Sequence, residues 1–346
     1  MNNLVFSSLI IEWYTKYGRK YLPWQIENND YYVWVSEIML QQTQVKTVIP
    51  YFKKFISFCP NVISVANKNI NEIYYLWNGL GYYNRAKNLY NAAKKILNVY
   101  NGIFPNSFDE IIKLPGIGRS TAGAILSLSR NQCFPILDGN VKRILSRYYG
   151  IYEYINKKKT ENKLWNLMNQ IISKKYPRKF NQGMMDLGSQ ICTYRNPKCY
   201  ICPLNKKCYA FINNTFNELP NKKIIRIKLN KKIWIVILEK NNNFWLEKRL
   251  NTGILSNLYS FPEFTSLHKL YQWLKKKEIN KVSLKEIKSF QHYLSHINLN
   301  IFPIYCSINE NIIKLDKKKG IWYNKKQDIK VGIPTIVKKI LNLLNN

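Results

Sequence analysis

Acidic side chains are scarce in this chain. Its 346 residues hold 20 Asp and Glu against 54 Lys and Arg, a formal net charge of +34. A field of that sign favours a polyanionic partner, of which nucleic acid is the commonest. Lys and Asn also run in blocks such as Lys157-Lys158-Lys159 and Asn241-Asn242-Asn243. Codon drift toward A·T explains part of that excess, so charge alone supports DNA binding only weakly. Long apolar runs are missing too. None approaches the roughly 20 residues that span a bilayer. The start, Met1-Asn2-Asn3 with Glu12 soon after, has no basic stretch ahead of an apolar one, so no targeting segment and a cytoplasmic protein are expected. A disulfide framework is also lacking. Of seven cysteines, four lie between positions 192 and 208, and Cys59, Cys133 and Cys306 are scattered. An odd total with one tight group reads as a metal site. No internal repeat is visible.

What is present is enough to build cores: 46% hydrophobic and 14% aromatic residues, which argues against a disordered chain. Apolar residues at helical spacing predict helices over Leu4–Tyr17, Tyr32–Gln44, Val48–Phe58, Ile70–Trp77, Arg85–Tyr100, Phe108–Lys113, Ser120–Ser129, Val141–Tyr149 and Lys163–Ser173. Gly and Pro punctuate them at Pro23, Pro50, Pro60, Pro105, Pro115-Gly116 and Pro135. The composition changes after about residue 212. Asn213 to Lys228 is polar and basic and reads as a linker. Beyond it, Ile233–Leu238, Phe244–Leu246 and Ile301–Tyr305 read as strands, with helices over Leu267–Lys276 and Thr335–Leu344. The expected organisation is an all-α domain over 1–212, a linker over 213–228 and an α+β module over 229–346.

Four motifs bear chemistry. Leu114-Pro115-Gly116-Ile117-Gly118-Arg119-Ser120 joins two helical segments. Its glycines allow a tight turn, and free N–H groups at the next helix start suit a phosphate. In Phe134-Pro135-Ile136-Leu137-Asp138-Gly139-Asn140, a carboxylate stands at a helix start. Taken alone, Asp138 is better read as an N-cap. Glu37 lies between Val33 and Trp34 one turn before and Leu40 and Gln41 one turn after. Alone it is a solvated or paired helix-face residue. On an apolar face its pKa would rise, which suits a general acid. Finally, Cys192-x6-Cys199-x2-Cys202-x5-Cys208 can enclose one metal centre, zinc or an iron–sulfur cluster.

Together and in this order, the motifs resemble the superfamily named for its helix-hairpin-helix and its Gly/Pro-rich loop ending in Asp. The cysteine spacing is similar to the cluster loop of its endonuclease III and MutY branches. Leu22-Pro23-Trp24, Met39 to Val45, Trp77 to Tyr83, Ile136 to Arg143 and Asn181 to Gly188 look like the MutY family in particular. The resemblance implies a six-helix barrel carrying the hairpin and a second helical subdomain carrying one 4Fe–4S cluster per chain. It implies a bacterial, nucleoid-associated monomer acting on double-stranded DNA with adenine opposite 8-oxoguanine or guanine, and no membrane. Adenine would be flipped out of the stack. Glu37 would act as general acid, Asp138 would stabilise the cationic sugar, and Asn140 would position the site. Gln41, Gln42 and Tyr82 would enter or contact the DNA, as would Leu114, Gly116, Gly118, Arg195 and Lys198. Trp24 and Gln182 would wall the adenine pocket. Lyase members carry a Lys where this chain has Ser120, so a monofunctional glycosylase is implied rather than a glycosylase/lyase. Lys142, near Asp138 in sequence, is an amine that could give slight lyase activity by accident.

The C-terminal module resembles the Nudix-like domain of that family, most clearly over Gly253 to Phe264. Tyr259 stands where the first Glu of a hydrolytic Nudix box would fall, so nucleotide hydrolysis is not expected. The family's damage-reading Phe-Ser-His is Leu294-Ser295-His296 here. Ser295 and His296 would hydrogen-bond the oxidised base, while Leu294 would stack less well than an aromatic.

Overall fold

The computed structural model describes residues 3–27, 29–221, 228–279, 284–294, 297–308, 315–327 and 329–344. Helices α1 to α12 are Asn3–Tyr17, Asp30–Leu40, Val45–Phe58, Val62–Asn67, Ile70–Leu76, Asn84–Tyr100, Phe108–Ile111, Arg119–Ala124, Gly139–Tyr149, Lys158–Ile171, Pro177–Gln190 and Tyr209–Ile212. Among the described residues, no helix is long and apolar enough to cross a membrane. The chain forms two compact units. One comprises Met1–Asn67 with Asn88–Ile225, the other Lys68–Lys87 with Arg226–Asn346. The segment Lys68–Lys87, all-helical-domain material by sequence, thus belongs to the second unit.

Local sequence sets the helix ends. Asn29 caps α2 by accepting the Tyr31 N–H at 2.8 Å, and Ser107 and Glu110 form a capping box on α7. Gly150, at φ +66°, stops α9 in the left-handed conformation. Helix α11 was not legible. Pro177, Gly183 and Gly188 weaken a helical pattern there, yet Pro at the first turn is preorganised. Phe180, Met184 and Leu187 then recur on one face and are fully buried in a core with Phe6, Ile10, Val141, Leu145 and Leu164. The helix expected over Ser120–Ser129 instead widens into a π turn over Ile125–Ser129. Buried Ser127 and Ser129 there find partners in Asn181 and Asp30. Such insertions often mark functional sites.

The second unit holds a mixed eight-stranded sheet. Its strands are β1 Leu229–Lys240, β2 Asn243–Lys248, β3 Tyr259–Ser260, β4 Glu263–Phe264, β5 Leu284–Glu286, β6 Phe290–Tyr293, β7 Ile297–Ser307 and β8 Gly320–Tyr323. Strands β1 and β7 pair in parallel along their whole length, Leu229 opposite Ile297 through Glu239 opposite Ser307. Ile235 and Ile237 of β1 face a helix at Thr335–Leu343 (α14), while Val236 and Leu238 face one at Leu267–Lys276 (α13). A helix on each face explains why β1 is a continuous apolar run without alternation.

Candidate active site

Asp138 is the N-cap of α9. Its carboxylate accepts the Val141 N–H at 2.8 Å and the Asn140 amide at 2.9 Å. Asn140 is itself held by the Arg143 guanidinium at 2.8 Å, which also donates to the carbonyls of Gly188 and Cys192. Gly188 of α11 lies so near that an added Cβ would come within 2.6 Å of the Asn140 Cβ. The loop before Asp138 is secured at consecutive residues. Asn181 donates to the Phe134 carbonyl (2.9 Å) and accepts from the Ile136 N–H (3.2 Å). The Ser120 hydroxyl donates to the Leu137 carbonyl (2.9 Å) and accepts the Leu137 N–H (3.1 Å). Ser120 therefore positions the backbone beside Asp138 and is a positioning residue.

Glu37 sits in α2, which packs against α3, α8 and the π turn. Glu37 and Asp138 each keep some surface exposed, but both carboxyl groups are stripped of water. Burial, and then the charge of Asp138, push Glu37 up to about 8. Asp138 is also raised by burial, but the Val141 N–H, Asn140 and Arg143 all pull it back toward the ionised form. Two carboxyls that feel one another, one pushed toward the acid by burial and the other supplied with groups that favour its anion, resemble the usual division of labour at a glycosidic bond.

The residues expected to meet DNA fall into distinct places. Gln41 is the C-cap of the Glu37 helix and Gln42 follows at φ +56° on the surface. Tyr82 is also left-handed, at φ +47°, and 48% exposed. Such backbone costs about 1–2 kcal/mol per residue and tends to persist at functional sites. Gly116 (φ +77°) and Gly118 are exposed in the hairpin turn. Leu114 is different. Its side chain is buried and anchors the turn, which leaves a DNA contact to its backbone. Arg195 and Lys198 are exposed. Trp24 is buried edge-on to Phe52, and Gln182 is buried with its amide on Asp186, which pairs with Arg19. Lys142 is tied to Glu161 at 2.7 Å and Asn156 at 3.1 Å, which commits its amine away from the reaction. Leu294 is half-buried against the β1–β7 core and its N–H donates to the Ile297 carbonyl. Ser295 and His296 lie outside the described residues.

Cys192, Cys199, Cys202 and Cys208 are free thiols that line one cavity of about 30 Å³ with Arg147, Ile191 and Phe211. Arg147 is buried and grips this loop through the carbonyls of Thr193, Tyr194 and Leu219, with one N–H 3.4 Å from the Cys192 sulfur. Among the described residues, no group of three or more His, Cys, Asp or Glu is arranged around a single metal ion. Burial first, and then the neighbouring thiols, push Cys202 up to about 12. A bound metal would reverse that by deprotonating its thiol ligands. Sequence reasoning missed Asn181, Arg143 and Arg147. The two arginines lie one turn apart on α9, a spacing that could have flagged a shared face.

The HhH-GPD superfamily base excision DNA repair model matches residues 35–170, and a NUDIX domain model matches 233–343. The class is therefore a helix-hairpin-helix base excision repair protein followed by a Nudix-like module. An adenine DNA glycosylase of Buchnera aphidicola subsp. Acyrthosiphon pisum is 50% identical over 343 residues, covering 99% of this chain and 98% of the relative. The chain belongs to the adenine DNA glycosylase family, which hydrolyses N-glycosyl bonds. A thermostable thymine-DNA glycosylase structure is 29% identical with TM-score 0.56, covering 60% of this chain and 96% of the other. A trapped endonuclease III–DNA intermediate, 20% identical, shares the fold with TM-score 0.52, covering 60% of this chain and 94% of its own.

Proposed function

We propose that this chain excises adenine opposite 8-oxoguanine or guanine in duplex DNA as a monofunctional glycosylase. Residues 1–212 supply the catalytic domain, 213–228 the linker and 229–346 the module that reads the opposite base. The observation that carries the reading is the coupled pair Glu37 and Asp138. Glu37, held near 8, is protonated at neutral pH and gives its proton to the ring of a flipped-out adenine. The C1′–N9 bond then breaks, its electron pair leaving with adenine. Asp138, whose anion the Val141 N–H, Asn140 and the charge of Arg143 favour against the effect of burial, stabilises the positive sugar until water adds at C1′. Asn140 and Arg143 hold Asp138 in place.

Ser120 supports the absence of lyase chemistry, since a hydroxyl engaged twice by Leu137 cannot form an imine. Gln41, Gln42, Tyr82, Gly116, Gly118, Arg195 and Lys198 serve as DNA contacts, and Trp24 and Gln182 as pocket walls. The four cysteines fit a 4Fe–4S cluster better than zinc. They line one cavity, and beside them the buried Arg147 and the half-buried Arg143 complement an anionic group. Cys192, Cys199, Cys202 and Cys208 would hold the cluster, and the cross-links it would supply would tie together the loop that carries Arg195 and Lys198.

The test uses duplexes with adenine opposite 8-oxoguanine and opposite guanine, analysed with and without alkali. Adenine release with strand breaks only after alkali is the expected result. Breaks without alkali would restore a glycosylase/lyase.

A further inference from the structure

The turn that carries Tyr82 is built from residues of its own segment. Gly79 (φ +106°), Gly81 (φ +75°) and Tyr82 (φ +47°) bend the chain sharply. Beneath them lies Arg85, its guanidinium 5.5 Å from the Tyr82 ring centre and 5.6 Å from that of Trp77. Arg85 donates to the carbonyls of Leu80 and Gly81, and the Trp77 indole donates to Gly81 as well. One face of Tyr82 is thus supported from below while the ring stays about half exposed.

The residues bracketing this turn are bonded to residues some 250 positions away in sequence, in the same compact unit. The Asn78 amide donates to the Val331 carbonyl at 3.0 Å and its oxygen accepts the Ile333 N–H at 2.9 Å. The Tyr83 hydroxyl lies 2.9 Å from the Ile333 carbonyl and 3.0 Å from the Asn78 oxygen. Lys338, on α14, donates to the Asn78 carbonyl, and Lys87 reaches Asn251. Residues 331–333 lead directly into α14. That helix buries Ile336, Val337 and Ile340 in the core against which Phe290 and Leu294 also pack. The ammonium of Lys339 sits 4.2 Å from the Phe290 ring centre. The Tyr82 turn and the Leu294 turn are therefore seated on one element.

We infer that Asn78 and Tyr83 are positioning residues that fix the Tyr82 wedge to the opposite-base module, so that preference for 8-oxoguanine over guanine passes through this clamp. The inference rests on the proposed roles of Tyr82 and of residues 229–346. A polar clamp of this kind holds a discrete arrangement, because each unmade hydrogen bond would leave a desolvated group behind.

Single-turnover adenine release by the full-length holoprotein, measured on both duplexes, tests it in a double-mutant cycle. The variants are Tyr82→Ala, Asn78→Ala, Tyr83→Phe and the two doubles with Tyr82→Ala. Tyr83→Phe removes one hydroxyl and keeps the ring, so it separates loss of the clamp from loss of the fold. Each clamp variant should lower the 8-oxoguanine-to-guanine rate ratio about fivefold, the worth of one hydrogen bond. Each double should be no slower than Tyr82→Ala alone. Rates that multiply in the doubles would overturn the clamp while leaving Tyr82 as a DNA contact. A Tyr82→Ala enzyme indistinguishable from wild type would instead remove the premise, and the inference with it.

Discussion

The loop over 134–138 and the turn at Leu294 are secured by different forces. The first is pinned through Asn181, Ser120, Asn140 and Arg143, polar partners from three helices. The second is held by a backbone bond to Ile297 and by apolar packing of Leu294 on the core. Directional bonds fix a carboxylate to within fractions of an ångström, as acid–base chemistry at one bond requires. Apolar packing of Leu294 fixes depth more than orientation, which would suffice for the proposed reading of a base. The contrast predicts that damage to the first loop costs catalysis steeply and damage to the second costs selectivity mildly.

Asp138→Asn should produce the largest effect, a fall of roughly 10³-fold in single-turnover adenine release. DNA affinity in a binding titration should change little. Next comes Asn181→Ala, which unpairs a buried N–H and a buried C=O beside Asp138. It should cost about 2–4 kcal/mol of stability, read from denaturant unfolding. Leu294→Ala, at a half-buried position, should cost only about 1 kcal/mol while narrowing the gap between 8-oxoguanine and guanine substrates. Equal costs at the two positions would erase the contrast. Lys142→Ala should leave products unchanged with or without alkali, since its amine is already committed to Glu161.

A further effect concerns stability against pH. Glu37 titrates near 8 in the folded chain and near its ordinary 4.5 when unfolded. Between those values the folded chain keeps a proton that the unfolded chain releases, so stability falls as pH rises. Glu37→Gln should abolish that slope and gain most at the alkaline end, seen as a flatter dependence of the melting temperature on pH.

The helical and sheet elements were legible where a single pattern governed them, as in α13 at Leu267–Lys276 or the apolar run in β1. Strands such as Tyr259–Ser260 and Gly320–Tyr323 escaped because they are too short for a period to register. Helix α11 escaped because its glycines serve close packing. The same holds for the site. The cysteines stand out by spacing, whereas Glu37 and Asp138, each an ordinary helix residue when read alone, stand out only through the family resemblance. Their supports, Asn181, Arg143 and Arg147, act across sequence gaps of up to 72 residues that only folding closes (Arg147 with Leu219). Leu114 shows the reverse case, a motif residue whose side chain is buried.

The central claim is that Glu37 donates its proton to adenine from a pKa raised by burial and by Asp138. The measurement that tests it most directly is the pH profile of single-turnover adenine release, for the wild-type chain and for Glu37→Gln. The wild-type rate should fall as pH rises through about 8, and the variant should be slow without that limb. A Glu37→Gln enzyme that keeps the wild-type rate, or the same alkaline limb, would contradict the account.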